Sequence, residues 1–538
     1  MKNTTSINAQ LPLTKVQGFA ITSVLFFTVG TVSRLLPLLN QNGRLLRQFP
    51  TEDGYLMLTI ARNIALGNGM STANGTIATN GTQPLFNFVE AIGFYLLGGN
   101  KAAGVAFALL VQALIGALSA GLLFCIARHA LQHRALGKQV ALVAAALWYS
   151  SSIAVPHTMN CLETVAYTAC TLLSVYLWHR YETSRAPESR FSWRRSLAVG
   201  ALLGLTAWAR IDAVFLIAAI TGCHVLLGLL KNRSQLLGRI GEATVMGSLA
   251  VLVISPWLLH NKINFGSFTP ISGTAQSHAA SLGQNLVEVP FSLFEYALIV
   301  VPIPHAVEQL MPALVTTSVL VIGYVAALAI AAPKMNSSER SLLYVVSTLA
   351  TLLVAYYGIL FGAPHFVDRY LFPLSPFMAI FTSFALMAGL EKLARMTHVR
   401  KLLTLSLTAV LTFSILLNIR LYAIGTEHQH FQVVNWVQKN VPEAAWVGAI
   451  QTGTLGFFHD RTVNLDGKVN PGALQAKLER RISHYIVDEK FDAEGNRIDY
   501  LADWTGIASW KNQAPLNTHF ELIVNDEQKN LAVLRRKA

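Results

Sequence analysis

Residues 50–55 read PTEDGY, so Glu52 and Asp53 set two carboxylates side by side about a dozen residues beyond an apolar run. A carboxylate can accept a proton from an attacking hydroxyl. Ionisable groups near the bilayer are expensive and usually functional. Further polar groups stand at comparable positions. Arg62 follows in the same stretch, and Glu163 sits in NCLETVAY. Arg210 and Asp212 form the corner ARID, while His260, Lys262 and Asn264 lie in LHNKINFGSF. His365, Asp368 and Arg369 lie in APHFVDRYLFP. Cations of this kind clamp a phosphate. Together, acids and cations can move a group from a lipid phosphate to a hydroxyl. The hydroxyl loses a proton, the departing phosphate keeps its negative charge, and the lipid tail stays in the membrane.

Each residue also has a plainer reading. Glu163 at a helix start favours the helix dipole. Arg369 can snorkel to headgroups, Arg210 and Asp212 can pair locally, and an interfacial carboxylate pair can be a solvated face. The joint pattern depends on whether the elements bring these groups to one side of a membrane.

The composition supplies the membrane. Of 538 residues, 53% are hydrophobic and only 13% charged, against about a quarter charged in soluble domains; mean hydropathy is +0.45. Apolar runs of membrane-spanning length recur, which excludes a single soluble core. With the N-terminus inside, the runs 18–39, 105–127, 140–155, 164–178, 196–208, 213–230, 240–258, 309–331, 342–361, 371–390 and 402–421 give about eleven spans. Lys and Arg cluster in the loops this places inside. The apolar piece 85–97 then lies within an outer segment, 40–104, as a juxtamembrane or re-entrant helix. Residues 1–424 form the transmembrane domain. The more polar 425–538 follow outside as a small α/β domain, with an amphipathic QVVNWVQKNVP and strand-like AWVGAI, FELIVN and NLAVLR. All the polar groups above face this outer side.

Other classes fit less well. The +13 net charge lies in loops rather than on a basic face interleaved with aromatics, which argues against nucleic acid. Cys125, Cys161, Cys170 and Cys223 have no disulfide or zinc spacing. The first run is long for a cleaved signal and reads as an anchor. The NGT triplets at Asn74 and Asn80 read as turns. A transporter would place ionisable groups at mid-membrane in broken helices.

In order along the chain, EDGY, ARNIALGNGM, NGTQPLF, NCLETVAY, AWARIDAVF, HNKINFGSFTPISGTA, DRYLFPLSP and VGAIQTGTLGFFHDRTVNLDGKVNP resemble the GT-C superfamily of polyprenyl-phosphate-sugar-dependent glycosyltransferases. The resemblance is to its bacterial branch of AftB-like arabinofuranosyltransferases. It implies an inner-membrane enzyme with its site facing the periplasm or exterior, moving a sugar from a polyprenyl-phosphate donor to an envelope glycan, lipid or protein. Glu52 or Asp53 would be the acceptor base. Arg62, Lys262, His365 and Arg369 would contact donor phosphate. Tyr55, Asn80, Gln83, Glu163, Arg210, Asp212, His260, Asp368, Tyr370 and Asp466 would orient sugar or acceptor. The family's pair is commonly Asp-Asp or Asp-Glu, and its Arg-Pro-acidic corner is here Arg210-Ile211-Asp212, so the base is left at the pair. Some members use a divalent metal. Glu52 and Asp53 are a ligand set for Mg²⁺ or Mn²⁺, and metal use stays open, as do sugar and acceptor. The alternatives are a noncatalytic envelope-assembly protein of the same fold, a lipid or solute transporter, and a ligase or oligosaccharyltransferase with a diphosphate-linked donor.

Overall fold

The computed structural model describes residues 13–40, 43–134, 136–185, 191–231, 233–277, 280–286, 288–297, 313–362, 367–393, 397–424 and 430–537. His365 and the boundary expected near 425 lie outside the described residues. A helix occupies each apolar run: Leu13–Leu35, Lys101–Ala130, Gly137–Ser150, Thr164–Thr183, Trp193–Ala209, Val214–Lys231, Leu236–Phe265, Ala313–Ala331, Ser337–Val354, Ser375–Leu393 and Thr397–Ile424. Among the described residues, five segments are long and apolar enough to cross a membrane: Ala20–Leu39, Lys101–Ala130, Ile211–Lys231, Arg233–Phe265 and Ser337–Leu360.

Thr164–Thr183 shows why length and hydropathy separate here. Its Thr164, Thr168, Thr171 and Ser174 are buried in protein. The Thr168 hydroxyl donates to the Thr164 carbonyl at 2.8 Å, and Ser174 meets Thr206 at 3.2 Å. A helix surrounded by other helices can carry hydroxyls that a lipid-facing helix would have to hide. Trp193–Ala209 packs closely on Leu236–Phe265 through Gly200 and Gly204. A Cβ on Gly204 would lie 2.5 Å from Val253 Cβ, and one on Gly200 2.8 Å from the Met246 carbonyl oxygen. This small-xxx-small seam sets the height at which the following corner, Arg210–Asp212, emerges.

The segment expected as a juxtamembrane or re-entrant helix is Pro84–Leu96, 13 residues. At 1.5 Å per residue it spans about 20 Å, short of a ~30 Å hydrocarbon core. Before it, Ser71–Thr72 (β1) and Ile77–Ala78 (β2) pair antiparallel.

The tail strands are Trp446–Ala449 (β3), Thr462–Asn464 (β4), Ile498–Asp503 (β5), Phe520–Asp526 (β6) and Leu531–Arg536 (β7). They form one sheet in the order β4-β3-β5-β7-β6, with β3 parallel to β4 and β5, and β7 antiparallel to β5 and β6. Phe431–Asn440 buries Val433, Val434 and Val437 with Val447 and Val533 of the sheet. This unit meets the bundle through Phe457 and Phe458, whose rings lie 5.0 and 5.6 Å from that of Tyr55.

Candidate active site

The first turn of the Glu52–Ala65 helix carries both carboxylates. Thr51 caps it, its hydroxyl accepting from the Gly54 amide at 3.1 Å. Gly54 has no room for a side chain, because a Cβ would lie 2.2 Å from the Asn160 carbonyl oxygen. The turn is thereby pressed against the 160–162 loop, and the two acids diverge. Asp53 Oδ2 accepts from Arg369 at 2.8 Å. Glu52 turns to the tail, where its carboxylate accepts from the Gly453 amide at 2.5 Å, the Thr454 amide at 2.9 Å and the Thr454 hydroxyl at 2.5 Å.

Glu163 does not act as a side-chain cap for its helix. Its Oε1 receives Arg210 Nη1 at 2.6 Å. Arg210 also binds Asp212 through Nε and Nη2, at 3.1 and 2.9 Å, and gives Nη2 to the Tyr357 hydroxyl at 3.2 Å. That hydroxyl donates to Asp212 Oδ2 at 2.5 Å. The NCLET segment is held by Gln112, which donates to the Leu162 carbonyl at 2.8 Å and accepts from the Cys161 amide at 3.0 Å. Cys161 has φ 56°, so this loop is held in a left-handed turn to aim Glu163. The Tyr370 ring stacks on Tyr357 at 4.6 Å, and the Arg210 guanidinium lies over the Tyr370 ring, 4.6 Å from its centroid.

Lys468 enters from the tail. Asp466 makes a side-chain turn, its Oδ1 accepting from the Lys468 amide at 2.7 Å, and Gly467 between them has φ +86°. A Cβ on Gly81 would stand 2.1 Å from the Lys468 carbonyl oxygen, so NGT and DGK approach backbone to backbone. Burial opposes the charge of Lys468, but the carboxylates of Asp53 and Asp466 outweigh it and hold the ammonium pKa above its ordinary value.

These groups line a cavity of about 430 Å³. Of the residues singled out from sequence, Asp53, Gln83, Glu163, Arg210, Asp212, Arg369 and Tyr370 are on its wall, joined by Lys468, Tyr356 and Tyr357. Arg210 is committed to two carboxylates, whereas Arg369 and Lys468 share the cavity with Asp53. A phosphate entering there meets Arg369, paired with Asp53, and Lys468, paired with Asp466 at 3.5 Å.

The other expected residues lie elsewhere. Glu52 holds the tail. Tyr55 is fully buried and its hydroxyl donates to the Leu46 carbonyl. Arg62 binds the Gly99 carbonyl at 2.9 Å and Asp460 at 3.4 Å, and Lys101 reaches the same Asp460 at 2.9 Å. Asn80 is buried between Asn261 and the Ile271 amide, at 3.1 and 3.2 Å. His260 stacks on Trp257. Lys262 is exposed and donates to the Gly266 carbonyl at 2.9 Å. Asp368 accepts from the Ser292 hydroxyl, and Asp466 forms the turn before Lys468. Among the described residues, no group of three or more His, Cys, Asp and Glu stands together as a metal set. Glu52 and Asp53 bind different partners, so the pair does not present its oxygens to one point.

Lys468 and Tyr357 were not singled out from sequence. Lys468 carried a signal, since it follows Asp466-Gly467 in a stretch already of interest. Tyr357 did not, being one tyrosine in an apolar span.

The comparisons with known proteins bear on this geometry. The profile of the dolichyl-phosphate-mannose-protein mannosyltransferase family matches residues 81–260, and that of a domain of unknown function matches residues 418–532. No curated protein matches the chain in sequence. Among solved structures, ArnT from Cupriavidus metallidurans bound to undecaprenyl phosphate is similar at 14% identity, over 96% of this chain and 98% of that one, with TM-score 0.59. The oligosaccharyltransferase AglB of Archaeoglobus fulgidus, in complex with an inhibitory peptide and a dolichol-phosphate, is similar at 12% identity, over 93% of this chain and 71% of that one, with TM-score 0.54. The matched segment and the shared fold are those of membrane glycosyltransferases of the GT-C type.

Proposed function

We propose that the chain is a membrane glycosyltransferase that moves a sugar from a polyprenyl-phosphate donor to a hydroxyl of an envelope glycan, lipid or protein. The carrying observation is the single cavity that joins Asp53, Arg369 and Lys468 to the Arg210 cluster. Asp53 is the base. Before substrate arrives it is ion-paired with Arg369 at 2.8 Å. When the donor phosphate enters, Arg369 and Lys468 turn to its oxygens and stabilise the charge that grows as the sugar–phosphate bond breaks. The acceptor oxygen gives its proton to Asp53 as it attacks the anomeric carbon. Arg210, Glu163, Asp212 and Tyr357 form a fixed polar wall against which sugar hydroxyls are oriented.

The cavity end of the bundle also carries the tail unit, and the Lys- and Arg-rich loops lie at the other end. This supports a site on the extracytoplasmic side of a bacterial inner membrane, with the eleven helices as spans. The ordered motifs support the arabinofuranosyltransferase branch and hence a pentofuranose donor. The test uses the purified full chain with radiolabelled polyprenyl-phosphate pentofuranose, hexose and aminopentose, reading free polyprenyl phosphate and labelled product. Turnover of one donor, lost in Asp53→Asn at unchanged expression, is the expected result. No turnover of any lipid-phosphate sugar with envelope extracts as acceptor, or an Asp53→Asn variant as active as wild type, sinks the reading.

A further inference from the structure

A second cavity, of about 540 Å³, lies at the other end of the bundle. The Thr164–Thr183 helix measures the separation. Glu163, just before its start, lines the first cavity, and Glu182 near its end lines the second. Its 20 residues put them about 30 Å apart. No step of the proposed reaction uses this place.

Its wall is built of charge. Arg185, Lys231 and Arg239 line it against one carboxylate, Glu182, among the described residues. Glu182 is shared, receiving Arg239 at 2.7 and 3.1 Å and Lys231 at 3.2 Å. Arg185 donates at 2.5 Å to Glu242, which also takes the Ser192 amide and the His224 ring. Counting Glu242, three permanent cations stand against two acids. Arg239 is 3% exposed, and its Nε has no hydrogen-bond partner. A buried guanidinium N–H without an acceptor is costly and calls for one. The Ser337–Val354 helix begins on the same wall with Ser337 and Ser338. Asn336 takes the Glu339 amide at 2.9 Å, but the amides of the first two helical residues have no acceptor within their own helix and carry the positive end of its dipole. Excess cation, an unpaired buried donor and a helix N-terminus all ask for an oxygen-rich anion.

The surroundings say which kind. Leu230 and Leu237, beside Lys231 and near Arg239, are 63% and 83% exposed, at the bundle end that the proposed topology puts at the lipid interface. Basic pockets between transmembrane helices hold the headgroups of anionic lipids. We propose that this cavity binds the phosphate of an anionic phospholipid, with Arg239, Lys231 and the Ser337–Ser338 amides around its oxygens and the acyl chains along Leu230 and Leu237.

The experiment uses the delipidated full chain in neutral detergent. It is titrated with phosphatidylglycerol, phosphatidylethanolamine and inorganic phosphate, reading lipid retention by native mass spectrometry and the thermal unfolding midpoint. Phosphatidylglycerol should be retained and should raise the midpoint, the other two should not, and Lys231→Gln should weaken retention about five- to tenfold while Lys231→Arg restores it. Lys231 is partly exposed, so the Gln variant should fold. Arg239→Lys, which keeps the charge but removes Nε, is the second variant and should also weaken retention. Equal retention of the two lipids, or phosphatidylglycerol retention unchanged in both weakening variants, overturns the site. Stabilisation by inorganic phosphate equal to that by phosphatidylglycerol overturns the headgroup assignment.

Discussion

Replacing Glu52 by Gln separates holding from chemistry. In wild type the Glu52 carboxylate accepts three hydrogen bonds, from two tail amides and one hydroxyl, at 2.5–2.9 Å. Gln keeps one acceptor oxygen and turns an N–H₂ toward groups that themselves donate. At least one amide loses its acceptor, and the remaining bonds lose the carboxylate's charge. With charged hydrogen bonds worth about 1.5–3 kcal/mol and an unsatisfied buried donor costing about 1–3 kcal/mol, docking of the tail at this point weakens by roughly 2–4 kcal/mol. Hydrogen exchange followed by mass spectrometry reads this directly. Protection of the Gly453 and Thr454 amides should fall about 30- to 1000-fold, and turnover should fall because Lys468 arrives in the cavity on the same unit. Asp53→Asn should do the reverse, leaving that protection intact while turnover drops about 10²- to 10⁴-fold. If Glu52→Gln leaves the two amides as protected as in wild type yet loses as much turnover as Asp53→Asn, Glu52 is the chemical member and the assignment is wrong.

Three further outcomes follow from the same geometry. Lys468→Gln removes a cation beside Asp53 and should raise the donor KM about tenfold or more with an intact fold, as fluorescence of the purified protein would show. Arg210→Lys cannot serve Glu163, Asp212 and Tyr357 at once; an uncompensated buried carboxylate costs about 3–5 kcal/mol, so the thermal midpoint should fall and Arg210→Lys should not behave as a conservative change. Asp503 gives a pH test. Burial outweighs its bonds from the Gln451, Trp504 and Ile450 amides and pushes its carboxyl from 3.8 up to about 6. The folded state thus holds the proton more tightly than the unfolded chain, so this stabilisation is complete below about pH 4 and is lost as pH rises through about 6. It amounts to ~3 kcal/mol. An unfolding series from pH 4 to 7 should show that slope, and Asp503→Asn should flatten it.

Much of this was legible in the sequence, for reasons that differ by residue. The helix positions follow from apolar runs, which report burial in lipid or protein alike. Thr164–Thr183 was found this way although its threonines leave it less apolar than its neighbours. The corner Arg210–Asp212 stood out as charge between two apolar helices, and its plainer reading, a local pair, is part of what forms. What the sequence withheld is pairing at long range. That Arg210 also takes Glu163 and Tyr357 depends on helices 47 and 147 residues apart along the chain, and nothing local announces it. Arg62 and Lys262 show the converse. Their type and neighbourhood suited a phosphate, but Arg62 ties the bundle to Asp460 and Lys262 closes its own helix end on Gly266. Fully buried Arg34, donating to the Gly30 and Tyr149 carbonyls and the Thr158 hydroxyl, lies inside the run 18–39 and was not singled out, since its partners at 149 and 158 are again long-range.

The adjacent acids of PTEDGY now have separate tasks because of helix geometry. Successive residues on a helix point about 100° apart, and here the two neighbours in the first turn take different partners. Asp53 faces it and Glu52 faces the tail. The turn that carries Asp53 is therefore the turn that docks the unit carrying Lys468, and Gly453 and Gly81 let the backbones come close enough for this, a Cβ on Gly453 lying 1.8 Å from the Glu52 carbonyl oxygen. A change that loosens the tail should for that reason disturb two charged groups of the cavity together: Asp53 through its helix turn and Lys468 through its loop. Exchanging the two acids, as Glu52→Asp with Asp53→Glu, keeps composition and charge but shortens the clasp at 52 and lengthens the side chain at 53. It should lose both amide protection at 453–454 and turnover, whereas a pair acting only as a shared negative patch would tolerate the exchange.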